Sequence, residues 1–231
     1  MTFNPQIIQN NLDKTLQRIK NACEKTGRDP AEVNLMAVTK THPAEAVEGI
    51  RRLGVDLLGE NRVQEAAEKR VQLAEDPGWE LIGHLQRNKA RQAIELFRRI
   101  QSVDRLSLLN RLNNLAEELQ RSPYPILLQV NAGADPNKFG AELDEAEALL
   151  EAALASSHLQ VDGFMTIAPL SDDPDVARRC FANLREFRDR VADRYQRDFT
   201  VLSMGMSGDL EAAIAEGSTL VRIGSALFGD R

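Results

Sequence analysis

Lys40 is the residue on which chemistry is most readily built. It ends the apolar run VNLMAVTK (33–40). If that run is a strand, alternation puts Met36, Val38 and Lys40 on one side. An amine among apolar neighbours is penalised when charged, so its pKa falls. The neutral amine can then attack an aldehyde and form a Schiff base. A solvated lysine at a strand end is the plain alternative.

Two further stretches suggest a seat for a phosphate. SMGMSGD (203–209) offers Gly205 and Gly208 for close backbone approach, and the hydroxyls of Ser203 and Ser207. RIGSALFG (222–229) places Gly224 and Ser225 at the start of a short helical turn. Backbone N–H groups at such turns attract phosphate oxygens. Arg222 has three readings: a phosphate partner, a hydrogen-bond donor to an aromatic ring nitrogen of a ligand, or a salt bridge at a rim. His84 is either a ligand contact or a structural histidine. Cys23 and Cys180 sit on apolar helix stripes and read as core residues. No His, Cys and carboxylate cluster has metal-ligand spacing, and no Ser/His/Asp arrangement is apparent. The basic stretch RNKAR (87–91) reads as a solvated helix face.

These residues need elements to hold them. Residues 5–26 read as a helix through Ile8, Leu12, Ile19 and Cys23, stopped by Gly27 and Pro30. An alternation comes next. Strands are expected over 33–40, 55–60, 79–84, 99–104, 125–131, 159–165, 198–204 and 219–224. Helices are expected after each, at 43–53, 61–75, 86–98, 105–120, 142–156, beyond SDDPD (171–175), 209–216 and 225–228. Strands alternating with helices imply a parallel sheet. Eight such units point to the α/β class and a closed (β/α)8 TIM barrel with an extra N-terminal helix. An open doubly wound sheet is the alternative. In a barrel the C-terminal strand ends share one mouth. That would gather Lys40, Thr41, Glu60, Asn61, His84, Ser102, Asp104, Asn131, Met165, Thr166, Ser203 and Arg222.

Length and composition bound the reading. The chain has 231 residues, and eight strand–helix units use all of them, so residues 1–231 are expected to form one domain. It carries 29 Lys and Arg against 35 Asp and Glu, a net charge of −6, which argues against a nucleic-acid footprint. Two distant cysteines fit a reducing compartment. The start, MTFNPQIIQN, does not resemble a signal peptide, and no apolar stretch is long enough for a bilayer. A cytoplasmic location is expected.

The residues then match a known pattern. AVTKT (37–41), GENRVQE (59–65), LIGHLQRNK (81–89), SVD (102–104), QVN (129–131), KFG (138–140) and LSMGMSGDLEAAIAEGSTLVRIGSALFG (202–229) resemble the pyridoxal 5′-phosphate homeostasis protein family. The resemblance covers essentially the whole chain. It implies a barrel like the N-terminal domain of alanine racemase, binding pyridoxal 5′-phosphate (PLP) with Lys40 as the internal aldimine. It implies phosphate contacts from Ser203, Gly224 and Ser225, with Ser207 as a further one. Arg222 takes the place of the partner of the pyridine nitrogen, and Asn61 and Met204 those of ring-side neighbours. The sequence departs from the pattern at Glu80, where the family often has histidine, and at Asp135–Pro136. Both departures bear on ligand entry.

The same resemblance implies a monomer that buffers PLP or hands it to apo-PLP enzymes, with little catalysis. An arginine at the ring nitrogen disfavours its protonation and weakens the ring as an electron sink. The rivals are an amino-acid racemase and an aldolase-type enzyme using Lys40 on a sugar phosphate. Racemisation needs an acid/base on each side of the α-carbon. In racemases of this fold the second is a tyrosine from an additional domain. Tyr124 and Tyr195 each precede a strand, which places them at the opposite end of the barrel.

Overall fold

The computed structural model describes residues 5–229. Met1–Asn4, which begin the stretch weighed as a signal peptide, and Asp230–Arg231 lie outside them. Eight parallel strands close into a barrel in sequence order: β1 (Asn34–Val38), β2 (Leu58–Glu60), β3 (Glu80–Leu81), β4 (Arg99–Val103), β5 (Tyr124–Gln129), β6 (Leu159–Met165), β7 (Val201–Ser203) and β8 (Leu220–Ile223). The helices are α1 (Pro5–Thr26), α2 (Ala44–Arg52), α3 (Val63–Arg70), α4 (Ala90–Leu96), α5 (Leu106–Glu118), α6 (Leu143–Leu154), α7 (Pro174–Tyr195), α8 (Leu210–Ala215) and α9 (Ser225–Phe228). The open doubly wound alternative is set aside, because β8 pairs with β1 and closes the sheet on itself.

Several elements are shorter than the sequence suggests. β2 and β3 pair only through Gly59 with Glu80 and Glu60 with Leu81, and residues 82–84 then leave the ladder. Gly83 packs so tightly on Asn61 that an added Cβ would stand 2.1 Å from the Asn61 carbonyl oxygen. The helix expected over 61–75 ends at Arg70, since its apolar stripe runs out: Val71 is 84% exposed. The helix expected over 86–98 begins as a 3-10 turn at Arg87–Lys89 and is regular only from Ala90.

The core has two parts. The larger lies between strands and helices and includes Trp79, Phe97, Phe164, Phe181 and Phe187. Apolar burial of this kind contributes about 25 cal/mol per Å² removed from water. A smaller cluster of Met36, Val38, Ile82 and Leu220 fills the lumen. Beside it the lumen is polar. Glu80 takes a two-pronged contact from Arg99 at 2.8 and 3.0 Å and accepts from the Gln101 amide at 2.6 Å. Arg99 also reaches Asp162 at 3.1 Å. Glu80 therefore belongs to the floor of the barrel and not to ligand entry. Its carboxylate neutralises the largely buried Arg99.

Both tyrosines lie at that N-terminal end. Tyr124 opens β5 rather than preceding it, and its buried hydroxyl donates to the Phe97 carbonyl at 2.8 Å. Tyr195 ends α7 and donates to Glu151 at 2.7 Å. The extra helix α1 buries Ile8, Leu12, Ile19 and Cys23 against α8 and α9. It also ties down their loops: Arg18 donates to the Ser207 carbonyl at 3.0 Å and pairs with Glu211, and Asn11 donates to the Leu227 carbonyl at 2.9 Å. No helix of the described residues is long and apolar enough to cross a membrane.

Gly163 of β6 sits where the β5–β6 register shifts, and a Cβ there would meet the Val201 carbonyl oxygen at 2.0 Å. Such overpacking forces strands apart. Gly163→Ala should lose about 3 kcal/mol or more in urea unfolding, the upper part of the overpacking range. A loss below about 1 kcal/mol would show that β6 and β7 can separate freely there.

Candidate functional site

The C-terminal strand ends surround a cavity of about 900 Å³. This is within the usual range for small-molecule sites. Lys40, Asn61, His84, Ser207, Arg222, Gly224 and Ser225 all line it. Val38 lines it beneath Lys40, as strand alternation requires. β1 ends at Val38, and Lys40 stands two residues beyond it at the mouth.

Arg222 is the most constrained of these residues. It is only 4% exposed, and its hydrogen bonds go to neutral groups. Nη1 donates to the Ser203 hydroxyl and Nη2 to the Thr166 carbonyl, each at 2.8 Å. Burial pushes its pKa down to about 10, with Asp209 pulling the other way, so it stays charged near neutrality. Two donors are spent on the barrel, and the guanidinium keeps further N–H capacity at the cavity wall.

Ser203 is not at the cavity. It is fully buried, and its hydroxyl accepts from Arg222 and donates to the Gln101 amide oxygen at 2.6 Å. The structure places the Ser203 hydroxyl one layer below the cavity, where it supports Arg222. Met204 is likewise fully buried and does not line the cavity. Hydrogen bonds run from Arg222 through Ser203 and Gln101 to Glu80, four residues on four strands.

The two glycine–serine loops meet at one side. The Ala226 N–H donates to the Ser207 hydroxyl at 3.2 Å, which joins the loop after β7 to α9. Gly208 and Asp209 complete this wall. Asp209 accepts from the Met206 N–H at 2.5 Å. Burial pushes its carboxyl above the usual range, opposed by that N–H and by nearby Arg222.

Opposite, the His84 ring stacks on Phe139 with centroids 3.9 Å apart and lies 3.4 Å from Asp104. Phe139 is carried there by the loop after β5. Asn131 shapes that loop through the Asp135 backbone, accepting from its N–H and donating to its carbonyl. Asp135 also caps the Asn137 N–H at 2.9 Å. The Asp135–Pro136 departure thus lies in the loop that places a wall of the cavity. Gln129, at the end of β5, lines the cavity and donates to the Phe139 carbonyl at 2.9 Å. Gln129, Phe139 and Asp209 are site residues that the sequence does not single out. The only sequence signals for the first two are the QVN and KFG motifs.

Other expected mouth residues serve the frame. Ser102 donates to the Gly83 carbonyl, and Thr166 to the Val130 carbonyl. Glu60 turns outward to Lys69. Cys180 is buried, and that burial pushes its thiol up to about 11. Among the described residues, no three His, Cys, Asp or Glu side chains gather as a metal site.

Fold and site together define a (β/α)8 barrel with an amine, a buried guanidinium and a two-loop cup at one mouth. The model of the alanine racemase N-terminal domain matches residues 9–231. The pyridoxal phosphate homeostasis protein of Pseudomonas aeruginosa is 41% identical, over 97% of this chain and 96% of its own. That of Aquifex aeolicus is 38% identical, over 95% and 96%. The structure of PipY from Synechococcus elongatus with PLP bound superposes with a TM-score of 0.81 at 39% identity, over 92% of this chain and 100% of that one. The chain belongs to the alanine racemase N-terminal domain family and, within it, to the pyridoxal phosphate homeostasis proteins.

The hydroxyls of Ser203 and Ser207 should separate in stability. Ser203→Ala leaves Arg222 and Gln101 short of a partner and should cost about 1–3 kcal/mol. Ser207→Ala loses one half-buried acceptor and should cost less than about 1 kcal/mol. Denaturant midpoints measured without ligand check both, and equal losses would remove the assignment of Ser203 to the frame.

Proposed function

We propose that this protein binds PLP, holds it as a Schiff base on Lys40, and buffers it or passes it to apo-PLP enzymes. The observation that carries this reading is the meeting, in one cavity, of Lys40, Arg222 and the Ser207/Gly224/Ser225 wall. PLP presents one group for each: an aldehyde, a ring nitrogen and a phosphate. The named family relatives and the PLP-bound PipY structure support it. Bound PLP supplies an aldehyde that links to amines and a ring that can accept electrons.

The chain's own residues favour storage over catalysis. Ser207, Gly224 and Ser225 would seat the phosphate, and Asn61 the ring side. Arg222, held from below, would donate to the ring nitrogen and keep a proton off it, because two adjacent positive charges repel. That favours storage. Neither tyrosine is at this mouth, so the second acid/base of a racemase is not supplied by them. We take the protein to act as a monomer in the cytoplasm, with residues 1–231 as one barrel domain.

Mixed with PLP, the protein should develop a visible absorption band that borohydride bleaches, and Lys40→Ala should not. Arg222→Ala should weaken PLP retention by about ten- to a hundredfold, the worth of a charged hydrogen bond. A colourless protein that cannot be loaded would overturn the reading. Transfer to an apo-acceptor enzyme is expected to outpace release into solution; transfer at the release rate would leave a buffer only. Exchange of the amino-acid α-hydrogen in D2O faster than free PLP allows would overturn the non-catalytic part.

A further inference from the structure

The peptide on either side of Lys40 is gripped from behind, by side chains outside the cavity. Lys69 of α3 is buried, and its Nζ donates to the Thr39 carbonyl, to Glu60 and to Glu65, each at 2.7 Å. These three acceptors use all the donors of an ammonium. Glu65 in turn accepts the Thr41 N–H. The Thr39 hydroxyl donates to Glu60 at 2.6 Å and accepts from the Trp79 indole at 3.1 Å. The carbonyl before Lys40 and the N–H after it therefore end on one ammonium–carboxylate cluster.

The backbone needs that grip. Thr41 has a φ of 66°, in the left-handed region where a β-branched residue is strained. Such a conformation persists only when its surroundings hold it, and the Glu65 tie does so. The cluster is also costly. Glu60 is fully buried, and its Oε2 has no hydrogen-bond partner among the described residues. Burial pushes its carboxyl up, and Lys69 only partly draws it back. Burial also raises Glu65, but its bonds to Lys69 and the Thr41 N–H outweigh that and hold it below the usual range. A buried ion cluster is weak evidence for stability, so its position around one lysine asks for another reason.

We infer that Lys69, with Glu60 and Glu65, is a positioning cluster that fixes the Lys40 peptide so that its amine is presented to an aldehyde in the cavity. The inference rests on the reading of Lys40 as the residue that bonds to PLP. In that step the neutral amine adds to the aldehyde carbon, C=N replaces C=O, and the oxygen leaves as water. No further reactant is needed. The cluster acts on this bond-forming step and not on the seating of ring or phosphate, since none of its three members lines the cavity.

The test uses two ligands. PLP can form the bond; pyridoxine 5′-phosphate, with an alcohol in place of the aldehyde, cannot. Glu65→Ala frees the Thr41 N–H and leaves the Lys69–Glu60 pair. The double variant Lys69→Met/Glu60→Gln removes both buried charges together, so neither is left unpaired. Both are compared with wild type below the unfolding range of all three. The rate at which a borohydride-trapped adduct appears on Lys40 should fall about tenfold or more, as for a reacting group displaced by a fraction of an ångström. Affinity for pyridoxine 5′-phosphate should not change. An unchanged trapping rate in Glu65→Ala overturns the inference, as does an equal loss with both ligands. Wild-type protein that traps no adduct on Lys40 fails differently: it overturns the Schiff-base reading beneath.

Discussion

Barrel closure between β1 and β8 is the constraint on which the site depends. Its register sets Met36 beside Arg222 and Ala37 beside Ile223. The strand leading to Lys40 thereby lies against the strand leading to Gly224 and Ser225, at the far end of the sequence. Lys40 and the cup come from the two edges of what would otherwise be an open sheet. No local propensity brings them together. Only the accumulated twist and tilt of eight strands does so. The extra helix α1 secures that seam from outside by bonding the loop after β7 and the turn of α9.

Closure also creates the difficulty that the lumen has to solve. Arg222 points into a buried space, where an isolated charge is expensive. The barrel answers with neutral partners. It surrounds the guanidinium with a hydroxyl and a carbonyl, and the chain of hydrogen bonds runs on to Glu80 at the floor. Each donor in that chain points the same way, so the bonds polarise one another. Glu80 ends it and is itself matched by Arg99. A carboxylate placed directly on Arg222 would neutralise it; this arrangement leaves it charged, with donors to spare at the cavity.

Lys40 and Arg222 are legible in the sequence because period-two alternation along an apolar strand fixes the face of every residue. The loop wall is legible because glycines and hydroxyls cluster after two successive strands. Depth is not. Ser203 and Ser207 are four residues apart and chemically alike, yet one sits in the lumen and the other at the mouth. That depends on β7 ending at Ser203, a matter of register with its neighbours. Glu80 escapes the sequence for the same reason: β3 is only two residues long, so Glu80 lies at the floor while His84 reaches the mouth. Phe139 carries no signal beyond the KFG motif, because a loop folded by Asn131 and Asp135 brings it to the site. Lys69 gives no signal, since a lysine on a polar helix reads as solvated until tertiary structure buries it.

The two walls of the cavity differ in construction, and that difference suits holding with release. The inner wall is made of strand ends, buried hydrogen bonds and the tied peptide of Lys40. Its groups are set before any ligand arrives, which removes part of the ordering cost of binding. The outer rim is made of loops that keep apolar side chains in water, with Leu170 97% and Phe139 56% exposed. In the reading proposed above, PLP seated against the inner wall would be held by a covalent bond that water can reverse, a cup and one guanidinium. It is not enclosed by a second layer of packed structure among the described residues. On that reading retention would rest on chemistry at Lys40 and Arg222, and departure would need no unfolding of the frame that holds them.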